Sequence, residues 1–278
     1  MANRSYLYSL SNRPSSYSDR PETISGLSEW PYDVPFMYRL LMSGDPQLCA
    51  SLVADGFDSD ESEEKTRLYA ISGRFDAGLE RVKRFAEIVR ATAQLSTDVP
   101  QTAVTPQSSS WISRLMQIFT LAQDLSINTA RATTPAPVND ELLSSLDETI
   151  SFLEAHRNTY LLLETVELDT MSESEEAPLK ACVEQEIMRC IQAGAALDAL
   201  PADAQQAAQQ LVLATRQTGT PPLDAFFGLR LDNEFDSTRT GATEHPLGLE
   251  WSDTLYFDLF NRSEFDAQNN EQAPPLSG

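Results

Sequence analysis

The sequence predicts a mainly α protein: an antiparallel helical array with a small sheet from the N- and C-terminal regions, a minor α+β component. Over 75–95, 111–132, 139–168, 173–200 and 202–216, apolar residues recur at three- and four-residue steps, which gathers them on one helical face. The breaks between the later stretches are short, with Pro135, Pro137 and Pro201 among them, as antiparallel neighbours in a bundle need. At the N-terminus, Tyr6 and Tyr8 alternate with Leu7. That marks a short strand, expected to pair with another near 255–259.

In chain order, 5–10 is that strand and 11–22, rich in Ser, Pro and Arg, is a loop. Trp30 to Pro35 is stiffened by two prolines, which favour extended and turn conformations before a helix. A helix is expected over 36–42, with Pro35 suited to its start and Gly44 at its end. Asp45 and Pro46 are expected to open a second helix carrying Leu48, Cys49, Leu52 and Val53. The stretch 75–95 places Leu79, Val82, Phe85, Ala86 and Val89 on one face. Residues 97–110 read as a linker of Ser, Thr, Pro and Gln, dividing an N-terminal region, 1–96, from a helical region, 111–217. Residues 224–265 interleave acids with aromatics, and 266–278 reads as a disordered tail.

Charge is the strongest compositional signal. The chain of 278 residues carries a net charge of -22, and its only lysines are Lys65, Lys83 and Lys180. Such a field repels nucleic acid and anionic membrane surfaces and draws in basic proteins. No run of 18 apolar residues spans a membrane. Cys49, Cys182 and Cys190 are too few and too oddly numbered for a disulfide framework; they fit a reducing compartment, the cytoplasm.

No catalytic or cofactor motif stands out. Only two histidines exist, His156 and His245. His156 falls on the apolar side of its stretch, where a half-buried structural role fits best. No Gly-x-Ser-x-Gly elbow, zinc spacing or phosphate loop is present. The acid-rich loops at 58–62 and 232–236 lack the glycine and the terminal carboxylate that a calcium loop requires. No catalytic residue, metal ligand or cofactor is therefore assigned. The aromatic–acidic segments remain, and a partner-binding surface is expected at Trp30, Tyr32 and Asp33 together with the acidic run Asp55, Asp58, Asp60, Glu61, Glu63 and Glu64. Aromatics anchor interfaces, and an acidic rim selects a basic partner.

The opening Met1-Ala2-Asn3-Arg4-Ser5-Tyr6-Leu7-Tyr8, the stretch Ile24-Ser25-Gly26-Leu27-Ser28-Glu29-Trp30-Pro31-Tyr32-Asp33-Val34-Pro35 and Ser43-Gly44-Asp45-Pro46 resemble the start of an uncharacterised family of bacterial proteins of unknown function. The resemblance covers about the first 55 residues and implies a bacterial cytoplasmic protein. It supplies no activity. The residues themselves favour an acidic protein-binding or inhibitor module, such as an immunity-like protein masking a basic toxin or nuclease. The alternative is a hydrolase that works through carboxylates, with or without a metal ion.

Overall fold

A computed structural model describes residues 3–57, 65–97, 140–218, 229, 235–236 and 246–272. The expected mainly α class is wrong: the described residues form a mixed α/β fold around a five-stranded, wholly antiparallel sheet. The strands are β1 (Arg4–Leu10), β2 (Ile24–Pro31), β3 (Gln47–Ala50), β4 (Tyr69–Arg74) and β5 (Tyr160–Glu164), in the order β2-β1-β5-β4-β3. The helices are α1 (Phe36–Met42), α2 (Phe75–Thr97), α3 (Asp140–Ala155), α4 (Val166–Asp169), α5 (Glu176–Asp198), α6 (Ala204–Thr218) and α7 (Arg262–Gln272).

Two strands expected as helices, β5 and β3, and two not expected at all, β2 and β4, account for the error. The expected helix over 139–168 stops at Ala155, and 160–164 becomes β5, paired on both edges. Leu161 and Leu163 face the helical layer, and Leu162 faces the other side. A strand buried on both faces is a continuous apolar run, which periodicity cannot tell from a buried helix. The expected helix after Asp45 is instead the edge strand β3. Asp45 sits at φ 66, a left-handed turn into extended chain rather than a helix cap. The partner of the N-terminal strand also differs from expectation: β1 pairs with β2 and β5. The stretch 255–259 forms no strand and instead lays Leu255 and Leu259 against the outer sheet face.

One sheet face carries the main core. There Leu7, Leu27, Ile71, Leu161 and Leu163 meet α1, α2, α3 and α5. The two helices at the centre of this layer, α1 and α2, run very close. A Cβ on Gly78 would overlap the Leu41 carbonyl oxygen, so glycine is required at that crossing. The first two amides of α1 are satisfied from the far end of the chain, Phe36 by the Pro246 carbonyl and Met37 by the Leu247 carbonyl. The opposite face is covered by loops, with Tyr6, Tyr8, Leu10, Cys49 and Leu162 beneath Leu255 and Leu259. Where a tail was expected from 266, α7 runs to Gln272 and clamps the β1–β2 loop: Arg262 donates to the Arg20 carbonyl, and Phe265 meets Tyr17 edge-on. The expected linker at 97–110, apart from Thr97, and the helix at 111–132 lie outside the described residues. No described helix is long and apolar enough to cross a membrane.

Candidate functional site

The chain turns sharply where β2 ends. Tyr32 adopts φ 63, a left-handed backbone that costs a non-glycine residue about 1–2 kcal/mol and that tends to persist where function needs it. The turn leaves the Tyr32 side chain 66% exposed at the mouth of a cleft of about 220 Å³. Asp33 and Arg39 line one wall of this cleft; Thr165, Asp169, Glu186 and Arg189 line the other.

At the base of the cleft lies a buried ion pair. Arg39 Nε donates to Glu186 Oε1 at 2.6 Å and Arg39 Nη2 to Glu186 Oε2 at 3.3 Å, with both side chains only 6% exposed. Burial disfavours the charge on Arg39, but its hydrogen bond to Glu186 and the charges of Glu186 and Asp33 prevail, and its pKa is raised. Arg189 Nη1 adds a third donor to Glu186 at 2.8 Å, and Arg39 Nη2 reaches Asp33 Oδ1 at 3.4 Å.

Asp169 differs from these groups. It is pushed up to about 6, first by burial and then by the charge of Glu186; the Thr165 hydroxyl and Arg189 pull the other way. Among the described residues, only the Thr165 hydroxyl donates a hydrogen bond to its carboxylate, at 2.7 Å. It therefore retains acceptor capacity facing the cleft. Two large apolar side chains close in sequence to lining residues are also exposed, Met171 at 61% and Met188 at 52%. The cleft thus brings three carboxylates, Asp33, Asp169 and Glu186, together with two guanidinium groups, Arg39 and Arg189.

The sequence-predicted surface is divided by the structure. Tyr32 and Asp33 are in the cleft, but Trp30 is a core residue, buried against the helical layer, and its indole N–H has no partner among the described residues. Asp55 is exposed, lies 3.4 Å from Lys65 and lines a different depression. Asp58, Asp60, Glu61, Glu63 and Glu64 lie outside the described residues. The sequence reading missed Arg39, Asp169, Glu186 and Arg189. Two of these had a legible signal. Arg39 is the lone charge in the apolar helix FMYRLLM, and Glu186 occupies the buried stripe Leu179, Val183, Cys190, Ala193 and Leu197.

The other candidates have structural roles. His156 is half-buried, stacks on Phe152 at 4.1 Å and contacts the Phe152 carbonyl through Nδ1. Burial pushes the Cys49 thiol up, and Glu164 adds to it, the wrong direction for a nucleophile. Asp236 accepts hydrogen bonds from the amides of Gly248 and Leu249. Among the described residues, no three of His, Cys, Asp and Glu are grouped to hold a metal ion. His245 lies outside them.

Residues 11–124 match the model of a domain of unknown function, DUF7822. The match extends past the first 55 residues and ends before the far wall of the cleft. The DUF7822 segment therefore contributes Tyr32, Asp33 and Arg39, and the chain beyond it contributes Thr165, Asp169, Glu186 and Arg189. No curated protein and no solved structure matches the chain.

Proposed function

We propose that the protein is an acidic binding module for a basic protein, and that a lysine or arginine of the partner enters the cleft beneath Tyr32 to meet Asp169. The observation that carries this reading is Asp169: a largely buried carboxylate, raised to about 6, in a cleft whose other buried acid is already saturated by guanidinium groups. An entering cation favours the ionised form of Asp169 and supplies donors to its carboxylate. Tyr32, exposed at the mouth of the cleft, provides the aromatic contact that exposed charges lack. The net charge of -22 speeds the encounter. An inhibitor that masks a toxin or nuclease built for nucleic acid fits this chemistry, and three unpaired cysteines suit a cytoplasmic setting. The carboxylate-hydrolase reading is less well supported, because it needs a second available carboxylate near Asp169. Glu186 is held on both oxygens, and Asp33 gives Oδ1 to Arg39 and to the Val34 amide.

The test is a titration with N-acetyl-arginine amide, followed by NMR at constant ionic strength. Saturable shifts at Tyr32 and α4 are expected. Asp169→Asn should weaken binding about tenfold, equivalent to ~1.4 kcal/mol, and Glu141→Gln, which alters net charge equally, should leave it unchanged. Affinity should rise as the pH passes upward through about 6, because only the ionised carboxylate attracts the cation. Equal loss in both variants would reduce the interaction to diffuse charge and overturn the assignment.

A further inference from the structure

A second depression, of about 460 Å³, lies at the β3 edge of the sheet, where the β1–β2 loop, β3, β4 and α5 meet. Arg13, Arg67 and Lys180 line it, and among the described residues no aspartate or glutamate does. In a chain with 42 acids and 20 bases, a lining of three cations runs against the overall composition. Each cation is held by a tyrosine ring. Arg13 lies over Tyr160 at 5.4 Å, and Arg67 and Lys180 approach the Tyr69 ring at 5.3 and 5.8 Å. Such contacts fix a cation without cancelling its charge. Carboxylates stand at its edge, two of them paired with its cations: Asp45 is 3.6 Å from Arg13, Glu184 is 3.7 Å from Lys180, and Glu176 accepts the Tyr69 hydroxyl. Among the described residues, no carboxylate pairs with Arg67, which donates to the Ser15 carbonyl.

We propose that this depression binds the phosphate group of a small phosphorylated molecule. Three cations carried on separate elements suit the three terminal oxygens of a phosphate monoester, and arginine's fork is shaped for such oxyanions. Screening restricts the wider acidic field: at physiological salt the Debye length is about 8 Å, so the nearest charges decide the local potential. The same field excludes polyanions, because a nucleic acid or an anionic bilayer must approach the whole surface of a -22 protein. The volume is within the range of small-ligand pockets, roughly 300–1,000 Å³.

The experiment is calorimetry of the full chain with inorganic phosphate and with phenyl phosphate, at fixed ionic strength. Saturable binding is expected. Lys180→Gln, at a half-exposed position, should weaken it about fivefold, and Arg67→Gln with Lys180→Gln should abolish it. Arg157→Gln, which removes an exposed arginine elsewhere, should have no effect. In a parallel arm, vesicles containing phosphatidic acid should leave the protein in the supernatant. Absence of saturable binding, or equal weakening by Arg157→Gln, overturns the site. Sedimentation with the vesicles that Lys180→Gln abolishes overturns the small-molecule ligand in favour of a lipid headgroup.

Discussion

The cleft beneath Tyr32 and the depression at the β3 edge place their charges at different depths. At the cleft beneath Tyr32, cations and carboxylates are buried together, and Arg39 and Glu186 are nearly inaccessible. At the β3 edge, three cations lie against tyrosine rings near the surface, and two of them meet carboxylates there, Arg13 at 3.6 Å and Lys180 at 3.7 Å. The first is part of the core and the second rests on it. Net charge describes neither, because local potential is decided by groups within a few ångströms.

The largest expected effect separates the two sites by stability. Glu186→Ala strands Arg39 in the core and should destabilise the protein by about 3–5 kcal/mol. Arg67→Gln removes only exposed contacts and should change stability by less than about 1 kcal/mol. Urea unfolding of the two variants measures the difference; similar losses would mean that the β3-edge cations are structural after all.

The next effect concerns Glu164, on the loop-covered side of the sheet. Its carboxylate is fully buried, accepts from the Ser51 hydroxyl and the Leu52 amide, and is raised to about 7 by burial, which outweighs those donors and the charge of Arg20. The folded state therefore holds the proton more tightly than the unfolded one. This contribution is fully present below about pH 4.5 and is lost as the pH rises to about 7; it amounts to at most ~3 kcal/mol. Thermal unfolding across that window should show the fall, and Glu164→Gln should flatten it. An unchanged slope in the variant would assign the titration to Asp169.

A smaller effect sets stability against binding at the cleft. Tyr32→Gly relieves the left-handed backbone at φ 63 and should stabilise the fold by about 1 kcal/mol, while weakening N-acetyl-arginine amide. A variant that loses stability would show that the Tyr32 ring is a packing element. The smallest effect is one of order: Cys182, half-exposed in the cleft, should alkylate before Cys49 and Cys190, both buried with thiols pushed up mainly by burial. Mass spectrometry of the native protein after iodoacetamide reads that order.

Several elements were legible from local pattern. The limits of α1 follow from Pro35, and those of α2 and α5 follow from single-sided apolar stripes, because a helix declares its buried face at every turn. The acidic run at 55–64 was equally plain, but its prominence drew the expected site towards it and away from isolated charges on apolar faces. Arg39 and Glu186 were visible as such charges, but they are 147 residues apart, and nothing local says that they meet.

The sequence by itself determined the acidic field, most of the helices and the exclusion of familiar catalytic motifs, since each depends on composition or short-range periodicity. Only the tertiary structure decided that Tyr160–Glu164 is a central strand, that Trp30 is buried while Tyr32 is exposed, and that Arg13, Arg67 and Lys180 gather at one depression. Those outcomes depend on which distant segments cover a residue: Trp30 packs into the helical layer, Leu161 and Leu162 are buried from opposite sides, and Lys180 reaches the ring of Tyr69 from another element. Burial and local potential are properties of neighbours in space, and a one-dimensional pattern carries them only where those neighbours are also close along the chain.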